Sequence, residues 1–145
     1  MTTSEGLAPL ALGKQEKFGE LTIEVSPERV VEACRLLKDS LQFERLSTVT
    51  AVDRYPSEPR FEVVYHLQSI ARNEWLRLKC RLAGDSPEID TVTGVWRGAN
   101  WYEREAFDLF GIRFRNHPDP RRIMMPDDWE GHPLRRDYPV TGPRL

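Results

Sequence analysis

The chain has 145 residues, 39% of them hydrophobic and 30% charged, with a net charge of -2 and a pI near 6.0. That size suits one domain around one core, and the charge balance gives no electrostatic reason to expect nucleic acid, which usually needs a basic face. No apolar run approaches the roughly 20 residues of a membrane-spanning helix, and Met1 to Gly13 lack the basic start and apolar stretch of a secretory signal.

Residues 1–18 show no strong periodicity and read as a mobile lead-in. Leu21, Ile23 and Val25 then alternate with Thr22 and Glu24, the period of a half-buried strand. Ser26 and Pro27 make a good N-cap and first-turn pair. Val30, Cys34, Leu37 and Leu41 recur at helical spacing, so residues 27–41 read as an amphipathic helix packed on a sheet.

Three strands follow. Leu46 to Tyr55 is rich in Val and Thr and ends at a turn built on Pro56, Ser57 and Pro59. Phe61, Val63, Tyr65 and Leu67 alternate with Glu62, His66 and Gln68, and Leu76, Leu78, Cys80 and Leu82 alternate with Trp75, Arg77, Lys79 and Arg81. The short polar link Ser69 to Glu74 predicts an antiparallel hairpin between these two. Ile89 to Trp96 reads as a short edge strand or an extended link.

The segment from Asn100 to Gly111 predicts a second amphipathic helix. Asn100 and Glu103 are spaced as a capping-box-like pair, Tyr102, Ala106 and Phe110 form one stripe, and Gly111 is a fitting stop. The fold class is therefore α+β: a small, mostly antiparallel sheet with two packed helices, followed by an extended Pro/Arg-rich tail. Residues 19–116 make the core domain and 117–145 the tail.

The tail is where periodicity stops. Pro118, Pro120, Pro126, Pro133, Pro139 and Pro143 exclude helix interiors and central strands. Yet Ile123, Met124, Met125, Trp129, Leu134, Tyr138 and Val140 are not linker residues. Ordering each backbone unit costs about 1–2 kcal/mol, and these few apolar side chains, at about 1.5–3 kcal/mol each when fully buried, do not meet that cost. The tail should be ordered mainly by lying along another protein. Charge types agree: from Arg97 to Leu145 there are nine arginines, eight acidic residues and no lysine, an interface-like composition. A general bias toward arginine is the competing explanation, since the first 96 residues hold eight arginines and four lysines.

Other chemistry is thin. Cys34 and Cys80 fall at inward positions, and without a Cys-x-x-Cys pair they suggest buried hydrophobes rather than cluster or zinc ligands. Glu103, Glu105 and Asp108 could form an acid–base cluster, but Arg104 and Asp108 have the spacing of an ordinary helical ion pair. His117, Asp119, Asp127, Asp128, Glu130 and His132 match no compact metal motif, and His66 falls on the outward face of its strand. Dinucleotide, phosphate-loop and nucleophile-elbow glycine motifs are all missing from the sequence.

The run Glu103-Arg104-Glu105-Ala106-Phe107-Asp108-Leu109-Phe110-Gly111-Ile112, then His117 to Trp129, then Gly131-His132-Pro133-Leu134-Arg135-Arg136-Asp137-Tyr138-Pro139, resembles the signature region of the C-type subunit of bacterial NADH:quinone oxidoreductase, the 30 kDa subunit family of respiratory complex I. The resemblance covers about residues 20–140. It implies a subunit of the hydrophilic arm, peripheral on the cytoplasmic side of the bacterial cell membrane, with no catalytic residue, cofactor or metal of its own. FMN and Fe-S clusters would belong to partner subunits. The tail would pack on the D-type subunit of the complex, with the B-type subunit close by. The interface residues so implied are Arg104, His117, Arg121, Arg122, Met124, Met125, Trp129, His132, Arg135, Arg136, Asp137 and Tyr138. Equivalent subunits of membrane-bound hydrogenases and photosynthetic NADH-dehydrogenase-like complexes share the pattern, and a free-standing carboxylate enzyme is the remaining alternative.

Overall fold

Strict alternation of Leu and Cys with Arg, Lys and Trp makes Glu74–Leu82 a strand with one apolar face. Leu76, Leu78 and Cys80 are almost fully shielded, while Trp75 and Arg81 are exposed on the other side. In the computed structural model, which describes residues 2–17 and 19–138, this strand (β5) lies at the centre of a five-stranded sheet.

The sheet order is β1-β2-β5-β4-β3, with β1 at Ala11–Lys17, β2 at Glu20–Val25, β3 at Arg45–Asp53 and β4 at Phe61–Ser69. All neighbours are antiparallel except β2 and β5. The expected β4–β5 hairpin is present, with Phe61 opposite Leu82 and Ser69 opposite Glu74. The α-helices among the described residues are α1 at Thr3–Leu7, α2 at Val30–Asp39 and α3 at Ala99–Phe110. The last two follow the apolar stripes read from the sequence. A single 3-10 turn at Pro27–Arg29 leads into α2, and α3 packs along β3. Val30, Ala33, Cys34 and Leu37 from α2 join Ile23, Val63, Tyr65, Leu67 and Leu78 in one core. A small parallel pair, β6 (Glu88–Asp90) and β7 (Arg113–Arg115), brackets α3. Cys34 and Cys80 are free and buried.

The structure corrects three expectations. The first 17 residues are not without regular structure. The short α1 is closed by a reciprocal Thr2–Glu5 capping box, and it buries Leu7. β1 follows with almost every residue exposed, so it shows no apolar alternation; backbone pairing to β2 holds it. Second, Asn100 and Glu103 do not cap α3. The helix begins at Ala99 without a side-chain cap, because Glu103 turns inward to the Val92 amide and the Thr91 hydroxyl. Third, Arg104 and Asp108 do not pair along the helix; each binds the tail instead.

Gly111 ends α3 as expected, and for two reasons. Its φ of +77° favours glycine, and an added Cβ would stand 2.7 Å from both His132 and Arg135.

Candidate docking face

The segment after β7 has no regular structure, yet it folds back across α3 through polar anchors. Its described part is therefore ordered on its own chain and not mainly by another protein, contrary to the expectation from its apolar content. The central anchor is Asp108, fully buried near the helix end. Its Oδ2 accepts three consecutive amides, from Ile123 (3.2 Å), Met124 (2.7 Å) and Met125 (2.9 Å). Its Oδ1 lies 3.2 Å from Arg122 Nε, an ion pair without an aligned hydrogen bond. A carboxylate accepting several N–H groups makes charge-assisted bonds, roughly twice as strong as neutral ones. One helix residue therefore fixes a whole turn of the tail.

Arg122 continues the anchor. Its Nη1 donates to the Trp129 carbonyl at 2.8 Å, and its Nη2 reaches the Gly131 carbonyl. His132 Nδ1 lies 2.9 Å from the Asp108 carbonyl, and burial, opposed by that carbonyl, holds its imidazole below the ordinary value. The Leu134 amide donates to the Leu109 carbonyl at 2.9 Å, and Arg135 Nε donates to the Phe110 carbonyl at 2.6 Å. These groups satisfy carbonyls that the end of α3 leaves open.

A second anchor joins the far end of the tail to the sheet. Arg60, one-tenth exposed, donates to both carboxylate oxygens of Asp53 at 2.8 Å and to Asp137 Oδ1 at 2.8 Å. Asp53 Oδ2 also accepts the Arg136 amide at 2.8 Å. Burial alone would push the Asp53 carboxyl up. The Arg60 side chain with the Arg136 and Tyr55 amides outweighs that and holds it far below the usual carboxylate range.

The third contact is at the start of the tail. His117 Nδ1 accepts the Asp119 amide at 3.0 Å, and Nε2 faces the Asn100 carbonyl at 3.1 Å. Those partners fit a neutral ring protonated on Nε2. Burial is the main cause that holds His117 below its ordinary value. Glu103 Oε1 is 3.8 Å from that nitrogen. Burial raises the Glu103 carboxyl to about 7, against the lowering effect of Thr91 and Val92. Arg104 Nε donates to the Arg121 carbonyl at 3.0 Å, and its guanidinium lies 5.2 Å from the Trp101 ring centre.

The twelve residues singled out from the sequence thus divide. Arg104, His117, Arg122, His132 and Arg135 turn toward their own chain. Met125, Trp129 and Tyr138 are half-buried, with Trp129 Nε1 donating to the Tyr138 hydroxyl at 3.1 Å. Arg121, Met124, Arg136 and Asp137 are exposed, though Arg121 pairs with Asp119 and Asp137 with Arg60. Trp101, Met124 and Leu134 are each more than half exposed. Pro139 to Leu145, including the expected Val140 and Pro143, lie outside the described residues.

Asp53, Arg60 and the role of Asp108 were not foreseen from the sequence. Apolar content says nothing of polar anchors, and an acid buried at a strand or helix end leaves no periodicity to read. The acid–base cluster does not assemble: Glu103 faces Thr91 and Val92, Asp108 faces the tail, and Glu105 is half-exposed. The polar residues weighed as metal ligands are scattered. Asp127, Asp128 and Glu130 are exposed, and among the described residues no group of three or more His, Cys, Asp or Glu is placed to hold a metal ion. No described helix is long and apolar enough to cross a membrane.

Three comparisons bear on this arrangement. Residues 23–144 match the family model described as respiratory-chain NADH dehydrogenase, 30 Kd subunit. The C-type subunit of the NADH-quinone oxidoreductase of Geobacter sulfurreducens is 53% identical over 140 residues, covering 96% of this chain and 86% of that protein. A C-type subunit of the Rhizobium etli NADH-quinone oxidoreductase, numbered 2, is 57% identical over 120 residues, covering 81% of this chain and 64% of that protein. Among solved structures, a trypsin-resistant fragment of Nqo5 superposes with a TM-score of 0.69 at 31% identity, covering 74% of this chain and 88% of the fragment. A chain of the membrane-bound sulfane sulfur reductase, an archaeal respiratory membrane complex, superposes with a TM-score of 0.82 at 30% identity, covering 95% of this chain and 82% of that one.

Proposed function

From the premise that this chain belongs to the 30 kDa subunit family of respiratory-chain NADH dehydrogenases, we propose that it is a structural subunit of the peripheral arm of an NADH:quinone oxidoreductase, holding a neighbouring subunit rather than catalysing a step. Residues 2–17 and 19–116 serve as the folded body, α1 and β1 included, and 117–145 as the docking segment. The D-type subunit is the partner the tail meets, with the B-type subunit near it, on the cytoplasmic side of the membrane. FMN and the Fe-S clusters sit in other subunits, and electrons pass from NADH to quinone without touching this chain.

One observation carries the reading. Arg122 and Arg135 are consumed inside the chain, fixing an irregular segment in one shape, while Trp101, Met124 and Leu134 stand outward with Arg121 and Arg136. A preorganised segment with exposed apolar anchors and a polar rim loses little entropy when a partner covers it.

The test is amide exchange on the chain alone and in the assembled complex. Assembly should slow exchange across residues 124–138 and shield Met124 from oxidation. Equal exchange in both states would overturn the docking role. A second reading, the equivalent subunit of another membrane-bound respiratory complex, has its own support in the likeness to the sulfane sulfur reductase chain. Co-purification separates the two, since a flavin-containing NADH-oxidising assembly supports the first and a membrane assembly that does not oxidise NADH supports the second.

A further inference from the structure

Away from the α3 face, the turn between β3 and β4 and the outward side of β5 enclose an open hollow of about 550 Å³, and the end of the tail forms one wall. Four cationic side chains line it: Arg54, Lys79, Arg81 and Arg136. Only two carboxylates do, Glu58 and Glu62.

Those carboxylates are already committed. Glu62, nearly shielded, lies 3.2 Å from Arg54 Nη2 and 3.8 Å from Arg81 Nε. Arg81 is further matched by Glu24 at 3.3 Å. Glu58 accepts the Gly84 amide at 3.1 Å on both oxygens. Lys79 and the Arg136 guanidinium are left over, with no ion pair among the described residues. The Arg136 backbone is nonetheless fixed, because its amide binds the buried Asp53. A cation held at a set place beside a polar hollow is poised for an anion.

The wall discriminates among anions. Glu58 and Glu62 face the same hollow and would repel the dense charge of a phosphate group. Lys79 lies on β5 and Arg136 on the tail, two separate elements of the wall. Carboxylates on a flexible chain can take such separated positions.

We propose that this hollow receives an acidic segment of a neighbouring protein, whose carboxylates pair with Lys79 and Arg136. The proposal deepens the docking role above and rests on it. It adds a second contact, on the sheet side of the molecule, governed by charge rather than by apolar burial.

Carbodiimide coupling on the purified complex tests it, because the reagent joins a lysine amine directly to a touching carboxylate. Peptide mapping should find Lys79 linked to an Asp or Glu of another subunit. Lys79 linked only to Glu24 or Glu62, or as freely acetylated in the complex as in the isolated chain, would overturn the proposal. So would shielding without linkage that disappears on lipid extraction, which points to an anionic headgroup. Recovery of the chain without companion subunits defeats the docking role itself. A second measurement uses Lys79→Glu with Arg136→Glu. Association at low salt should weaken about tenfold, with the difference shrinking at high salt. Unchanged affinity in a variant with unchanged urea midpoint would refute it.

Discussion

The body and the tail of this protein are held by opposite means. Between β2 and β7, shape follows apolar burial: Ile23, Val63, Tyr65, Leu67 and Leu78 are closed off in a single core. From His117 to Tyr138, shape follows hydrogen bonds to a few buried charges, chiefly Asp108 and the Asp53–Arg60 pair. The lesson is that a segment too poor in apolar residues to pack can still be ordered when its amides meet a fixed carboxylate.

Breaking the tail's anchor should have the largest effect. Asp108→Ala strands Arg122 and three amides, and loss of one partner of a buried ion pair costs about 3–5 kcal/mol. Amide exchange at 123–125 should rise before the body unfolds, whereas a uniform rise would mean that body and tail form one cooperative unit. In the body, Leu78→Ala should cost about 2–5 kcal/mol in urea unfolding, with all probes melting together.

pH should sharpen the contrast, since the two regions titrate in opposite senses. Glu103 takes up its proton near 7 when folded and near 4.5 when unfolded. The folded state thus binds more protons between those values, so stability falls as pH climbs from about 4.5 to 7, by about 3 kcal/mol at most. Glu103→Gln should flatten that slope. Asp53 is shifted down, so its contribution is present above about 3.8 and is lost as pH falls toward its lower folded value. Asp53→Asn should remove that acid limb and leave the neutral slope alone.

The smallest effects separate adjacent arginines. Arg135→Ala removes the bond to the Phe110 carbonyl and the contact with the Phe61 ring, so folding should weaken by about 1–2 kcal/mol. Arg136→Ala should leave the urea midpoint unchanged and lower association only. Equal stability losses in the two variants would erase the distinction between inward and outward arginines.

Much of the body was legible because burial imposes a period. Leu76 to Leu82 announced β5, and Val30 to Leu37 announced α2. β1 was not legible, since an exposed edge strand carries no apolar face. For Glu103 and Asp108, spacing along α3 points to a cap and a helical pair, while loops distant in sequence supply stronger partners. Trp101, Met124 and Leu134 could be read as apolar residues but not as exposed ones.

Residue order alone determined the α+β class, the hairpin, the two main helices, the stop at Gly111 and the family resemblance, because local periodicity, turn chemistry and motif order are written along the chain. Tertiary structure decided which carboxylates became anchors and which arginines were spent inside. Those choices depend on Asp53, Asp108 and the tail meeting across long sequence separations, and a buried charge is defined by what surrounds it, not by what precedes it.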